Sequence, residues 1–147
     1  KALGVETNVA FDFKQLLPAQ QVLQQLQLGY CFIQQNQHEP AGIRSRYALE
    51  YLKQKFVAAA QFHVVSLLNL QVNYRFQHRM GQYLDASGAA HRYGSYGLLD
   101  AKFLWQAPRW QAYVEGNNLL NRHYFDVGNV PQPGCWVVAG AAFNIQL

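Results

Sequence analysis

The chain has 147 residues and a formal net charge of +4, a length that supports one domain with a single core. Half of it is apolar and 14% is aromatic, but only 14% is charged against about 25% in ordinary globular domains, and Gln and Asn together outnumber the charged residues. This excludes a disordered chain. The lack of any stretch near the roughly 20 apolar residues of a spanning helix excludes an α-helical membrane protein, and the scattered basic residues exclude a nucleic-acid footprint.

Period-two alternation then runs along the chain, predicting seven strands. In the first run Val5, Thr7, Val9, Phe11 and Phe13 oppose Glu6, Asn8, Asp12 and Lys14. The second sets Leu26, Leu28, Tyr30 and Phe32 against Gln25, Gln27, Gly29 and Cys31. The third sets Phe56, Ala58, Ala60, Phe62 and Val64 against Lys55, Val57, Ala59, Gln61 and His63. The fourth is the clearest, with Leu68, Leu70, Val72, Tyr74 and Phe76 against Asn69, Gln71, Asn73, Arg75 and Gln77. Leu99, Ala101, Phe103 and Trp105 oppose Asp100, Lys102 and Gln106 in the fifth. Trp110, Ala112 and Val114 oppose Gln111, Tyr113, Glu115 and Asn117 in the sixth. The seventh carries Val137, Ala139, Ala141, Phe143, Ile145 and Leu147 on one face, with a mixed face opposite.

Runs of about 9–12 residues suit tilted strands that cross a bilayer, whereas ordinary strands average about 5–6 residues. Short connections at Ser66 and at Ala107-Pro108-Arg109 alternate with long ones at 37–46, 78–97 and 118–134. Short turns on one side and long loops on the other are the outer-membrane barrel pattern. Tyr30, Phe32, Tyr74, Phe76, Trp105 and Trp110 fall near strand ends, as an interfacial girdle requires. The competing arrangement is a soluble β-sandwich or β-barrel with those rings in its core. Residues 45–60 also carry a helical period behind Ser45; a loop entering a strand agrees better with the neighbouring periods.

Chemistry-bearing motifs are sparse. No GxSxG, HExxH, P-loop or GxGxxG occurs, the five His have no ligand spacing, and Ser66, Ser87 and Ser95 have no partner in the sequence pattern. No enzyme, metal or cofactor is expected. Cys31 and Cys135 form no metal motif; they are either one long-range disulfide or two thiols, and strand spacing favours two thiols. Glu6, Asp12, Lys14, Lys55, Arg75, Asp100, Lys102 and Glu115 all fall on the polar face and are expected to pair across neighbouring strands. The long loops are better ligand candidates: Arg44, Arg46 and Tyr47 in one, Arg79, Tyr83, Arg92, Tyr93 and Tyr96 in or beside another, and Tyr124, Phe125 and Asn129 in a third. Tyr and Arg supply amphipathic, donor-rich contacts.

The last third, with Tyr113-Val114-Glu115-Gly116-Asn117-Asn118-Leu119-Leu120-Asn121, Tyr124-Phe125-Asp126, Val130-Pro131-Gln132-Pro133-Gly134 and a terminal alternating strand, resembles the C-terminal end of TonB-dependent outer-membrane receptors. Gly4-Val5-Glu6 is similar to a strand opening of that family. Residues 46–52, Arg79-Met80-Gly81 with Tyr83, and 128–134 are similar to Bacteroidales-type receptors regarded as cobalamin transporters. Cys135 stands where the family has Arg, and Leu147 where a terminal aromatic is usual. The resemblance implies an all-β fold: residues 1–147 as about seven antiparallel transmembrane strands from the C-terminal part of a barrel of roughly 22, without the plug domain. It implies import of a large scarce nutrient across the Gram-negative outer membrane, cobalamin first and a ferric siderophore or haem second. Its implied partners are lipid, the rest of the barrel and plug, the TonB coupling complex and a surface lipoprotein. The chain opens directly into a strand pattern with no signal peptide, so a mature chain or a cut piece is expected.

Overall fold

The computed structural model describes residues 1–35, 51–126 and 130–144. The protein is all-β, 67% strand and 3% helix. All seven alternating runs are strands of one antiparallel sheet. They are β1 (Ala2–Asp12), β2 (Leu23–Gln35), β3 (Leu52–Val65), β4 (Leu68–Arg79), β7 (Tyr96–Gln106), β8 (Trp110–Asn117) and β9 (Trp136–Phe143), in that spatial order. The long connection after β4 holds a small hairpin, β5 (Gln82–Leu84) and β6 (Ala90–Arg92), which pair only with each other.

The register reproduces the two faces read from the sequence, because directly paired residues share a face. One row crosses all seven strands as Phe11, Leu26, Ala60, Val72, Ala101, Gly116 and Val137. The next row, on the opposite face, is Asp12, Gln25, Gln61, Gln71, Lys102, Glu115 and Val138. The apolar face is bounded by rings at both ends. Tyr30, Phe56 and Phe76 pair along one margin, and Trp105 stacks on Trp110, with centroids 6.0 Å apart, at the other. From Phe76 to Leu68 the strand covers roughly 26 Å.

Nothing in the described residues covers this apolar face. Val5 is 58% exposed, Trp105 49%, Val114 51% and Val137 65%. The few buried side chains, Gln77, Tyr93, Tyr96, Leu98 and Asn118, belong to the opposite face and its rim. On one side two of the connections are short, while the one after β1 runs over residues 13–22 and holds a short helix. Turns after β3 and β7 are tight, the former through Ser66 in the left-handed region (φ 40°). The connections after β2, β4 and β8 are long and share the other side.

One expectation changes. The first run ends at Asp12, not Lys14: the Asp12 carboxylate accepts the Lys14 N–H at 3.0 Å and caps a short helix, α1 (Phe13–Leu16). Gln20 then accepts the Leu23 N–H at 3.0 Å and fixes the start of β2. The sheet is not closed into a barrel; β1 and β9 are free edges. Ile145 and Leu147, at the end of the seventh run, lie outside the described residues.

Cys31 on β2 and Cys135 just before β9 are free thiols, five strand positions apart. At about 4.8 Å per strand that is on the order of 24 Å along the sheet, far beyond the roughly 7 Å limit for a disulfide. Thiol titration of the denatured, unreduced chain should count two free thiols. A count of zero at unchanged monomer mass would require β2 and β9 to be neighbours.

Candidate functional site

Burial concentrates where the long connections fold against the polar face, around the end of β4 and the start of β7. Two local devices put the side chains there. The first is the β5–β6 hairpin. Asp85 opens its turn by accepting the N–H groups of Ser87 (2.8 Å) and Ala89 (3.0 Å) and the Ser87 hydroxyl (2.6 Å). This is the Asx-type turn that Asp and Ser favour. The other carboxylate oxygen lies 2.7 Å from His91 Nε2. The Ser87 hydroxyl, then His91 and the Ala89 N–H, hold the Asp85 carboxyl well below the usual carboxylate range. Tyr83 pairs with His91 across the hairpin and stacks on it at 5.6 Å.

The second device is an asparagine clasp after β8. Asn118 takes a left-handed backbone (φ 50°), which Asn tolerates. Its N–H donates to Asp100 Oδ1 at 2.8 Å. Its amide donates to the carbonyls of Arg122 (2.8 Å) and Pro133 (3.0 Å), and its side-chain oxygen accepts the Arg122 N–H at 2.9 Å. Asn121, also left-handed (φ 48°), accepts the Cys135 N–H at 2.9 Å. A side chain at Gly134 would collide with that same Asn121 oxygen. Phe125 bridges to Pro131, and the Gln132 N–H donates to the Tyr124 carbonyl at 2.9 Å. The Asn-rich motif of the sequence is therefore a structural staple that presents Tyr124 and Phe125.

Together the devices build an aromatic hollow of about 230 Å³, lined in part by Tyr83, Tyr93, Tyr96, Tyr124 and Phe125. Tyr83 lies 4.5 Å from Phe125 and 5.4 Å from Tyr93; Tyr96 lies 4.3 Å from Tyr124. Burial pushes the Tyr124 phenol above its ordinary value. Beside the hollow, Asp126 Oδ1 receives Arg79 Nη2 at 3.2 Å and the Tyr96 hydroxyl at 2.9 Å, and the same hydroxyl touches Gln77 Oε1. The hollow thus has aromatic rings for walls and a polar corner at Asp126, Arg79 and the Tyr96 hydroxyl.

Of the expected ligand residues, Arg79, Tyr83, Tyr93, Tyr96, Tyr124 and Phe125 meet here. Arg79, Tyr83 and Tyr96 are in strands β4, β5 and β7, not in loops. Arg92 does not join them. It pairs with Gln82, one step from the Tyr83–His91 pair, and so points to the other face of the hairpin, where it is exposed. Arg44, Arg46, Tyr47 and Asn129 lie outside the described residues. Asp126 and His91 were not anticipated; an Asp-Ala-Ser-Gly turn between Tyr-Leu and His-Arg was the available signal for the hairpin.

Two serines gain partners. Ser87 touches Asp85, and Ser95 Oγ lies 2.7 Å from His78 Nδ1. The latter pair is exposed, and among the described residues no carboxylate holds the other imidazole nitrogen. Among the described residues no group of three or more His, Cys, Asp or Glu could hold a metal. The chain matches no protein-family model, no curated protein and no solved structure.

Tyr83 is the shared neighbour of three rings, and aromatic pairs contribute about 0.5–1.5 kcal/mol each beyond area burial. Tyr83→Ala should therefore lower the local opening free energy of 82–92 by about 1–3 kcal/mol, read as faster amide exchange there with β8 unchanged. Arg92→Ala should leave the same amides unchanged. Equal effects of the two substitutions would contradict the hairpin's facing.

Proposed function

We propose that the chain is part of the transmembrane barrel of a TonB-dependent outer-membrane receptor that imports a large, scarce nutrient, with cobalamin the first ligand class and a ferric siderophore or haem the second. The observation that carries this reading is the apolar face: a row of seven apolar residues, Phe11 to Val137, crosses the whole sheet with no layer of described residues over it. In water a patch of that extent would drive association. In a bilayer it is the outer wall, and its aromatic margins match interfacial girdles around an apolar band about 25 Å tall.

The division of connections supports the same reading. The short turns lie on one side, and the elaborated segments that build the aromatic hollow lie on the other. A receptor places such segments outside the cell, where its ligand arrives. The amide-rich face is the lumen wall, and the free edges of β1 and β9 are the places where the rest of the barrel pairs. Plug, TonB complex and a surface lipoprotein belong to this proposal as partners of the whole receptor.

A soluble β-barrel that binds small ligands is the rival, and detergent dependence separates the two. Under the membrane reading the chain is monomeric and folded only with detergent or lipid; a folded monomer in plain buffer overturns it. The facing of β4 gives a finer test. Val72→Arg puts a charge on the lipid side and should cost about 2–4 kcal/mol if mid-membrane, measured by reversible unfolding in lipid vesicles. Asn73→Arg, one residue away on the polar face beside Asp100, should cost under about 1 kcal/mol. Equal costs would reject the assignment. Competition between cobalamin and ferric siderophores for the intact receptor then separates the ligand classes.

A further inference from the structure

At its short-turn margin the apolar face ends in a cluster of rings with a cation beside it. Trp105 and Trp110 stack there, and Phe143 pairs with Trp110 across β8 and β9. All three rings are exposed, Phe143 at 74%. The turn between β7 and β8 is tied down on both sides. The Ala107 N–H donates to the Trp110 carbonyl at 2.9 Å, and the Asn144 N–H donates to the Arg109 carbonyl at 2.9 Å. Pro108, between them, has its φ fixed by its ring. The Arg109 backbone is thus pinned to the end of β9. A groove of about 300 Å³ opens at this corner, with Arg109, Trp110, Gln111, Phe143 and Asn144 among the residues that line it.

The corner is cationic, and no described acid is near it. The exposed Arg109 side chain has no hydrogen bond or ion pair with a described residue. Strands β3, β4 and β9 carry no Asp or Glu. The first acid along β8 is Glu115, which lies roughly 20 Å from Arg109 at strand rise. It is paired with Lys102 at 3.3 Å. Asp100 on β7 is held by the Asn118 N–H at 2.8 Å. Asp12 caps α1 beside β1, at the far edge of the sheet. A guanidinium therefore stands over an apolar groove between two exposed rings and solvent.

We infer that this corner is a docking site for one anionic phospholipid of the leaflet on the short-turn side. This rests on the apolar face being the wall that meets lipid. The planar guanidinium of Arg109 offers two parallel N–H donors to the lipid phosphate. Trp105 and Trp110 lie at the level where amphipathic rings settle between headgroups and chains. An acyl chain then follows the apolar face past Phe143, along the paired Ala112 and Ala141, to Val114, which is 51% exposed. Charge selects the headgroup. A zwitterionic lipid would bring its own ammonium beside Arg109, and no described acid waits there to receive it. An anionic headgroup brings no such cation.

Brominated lipid is the probe, because bromine on an acyl chain quenches only the tryptophans it reaches. The chain has three tryptophans, so Trp136→Phe leaves Trp105 and Trp110 as the reporters. That chain is refolded into phosphatidylcholine vesicles with a minor share of brominated phosphatidylglycerol or, in parallel, of brominated phosphatidylcholine. The phosphatidylglycerol should reach half-quenching at about fivefold lower mole fraction, the factor one basic residue supplies at an anionic lipid surface. Arg109→Gln should bring the two lipids level. Arg109→Lys, which keeps the charge and loses the fork, should keep part of the preference. Lys14→Gln, on α1 at the far edge of the same margin, should change nothing. Matching circular dichroism establishes that each variant is folded. A preference that survives Arg109→Gln, or falls equally in Lys14→Gln, overturns the site. Equal quenching by both lipids in the parent keeps the membrane reading and loses the site. Quenching by neither lipid loses both.

Discussion

The structure depends on one constraint: a sheet seven strands wide whose apolar face meets no other part of the described protein. In a water-soluble domain that face would be the inside of a sandwich or barrel, and its residues would be among the most buried. Here none of them is among the buried residues, several such as Val5, Val114 and Val137 are more than half exposed, and the buried residues sit on the amide-rich face and its rim instead. The composition follows from this single layer. Charged residues are few because one face avoids them for solvation reasons and the other uses amides, which bond to neighbours and water without the desolvation cost of an ion. Small residues share the apolar face with large ones, as at Ala58, Ala60, Ala101 and Gly116, because nothing packs against it that needs filling.

Order at the rim is achieved by polar devices and rings, since no core extends that far. Asn118 is the hub. Four hydrogen bonds, one to Asp100 and three to carbonyl or amide groups of Arg122 and Pro133, tie a long connection to the sheet. Asp85 performs a similar task for the hairpin. With the backbone fixed, Tyr83, Tyr93, Phe125, Tyr96 and Tyr124 close over one another. This explains why the densest burial in the described chain lies where the long connections meet the ends of β4 and β7 and not in the middle of the sheet. It is also why a preformed hollow can exist on a single-layer sheet.

Much of the sheet was legible because the strands are long and their period is two; from Leu68 to Gln77 each residue declares its face. The ends were less legible. Phe13 and Lys14 continue the alternation of β1, but the Asp12 cap ends the strand, a local hydrogen bond that periodicity does not see. The β5–β6 strands have three residues each, too short to show a period, so the connection read as loop. That hid the hairpin's facing, which separates Arg92 from Tyr83. Asp126 was not legible at all, since its role comes from contacts with Arg79 and Tyr96, both distant in sequence. Closure of the sheet is a property of whatever pairs with its edges, and no pattern inside the seven strands encodes it.

The edges carry one further consequence of the topology. Seven strands, each antiparallel to the next, leave β1 and β9 running in the same direction. Rolling the sheet so that these two meet would create a single parallel pair in an otherwise antiparallel barrel. Two copies inserted in the same orientation would meet the same difficulty at each join, because the β9 edge of one would face the β1 edge of the other. A barrel that contains this sheet and uses only antiparallel pairing therefore needs an odd number of additional strands, which makes the total even, as in bacterial single-chain barrels. An odd number of antiparallel strands is thus compatible with all-antiparallel closure only where further strands join the edges of the described sheet, β1 and β9.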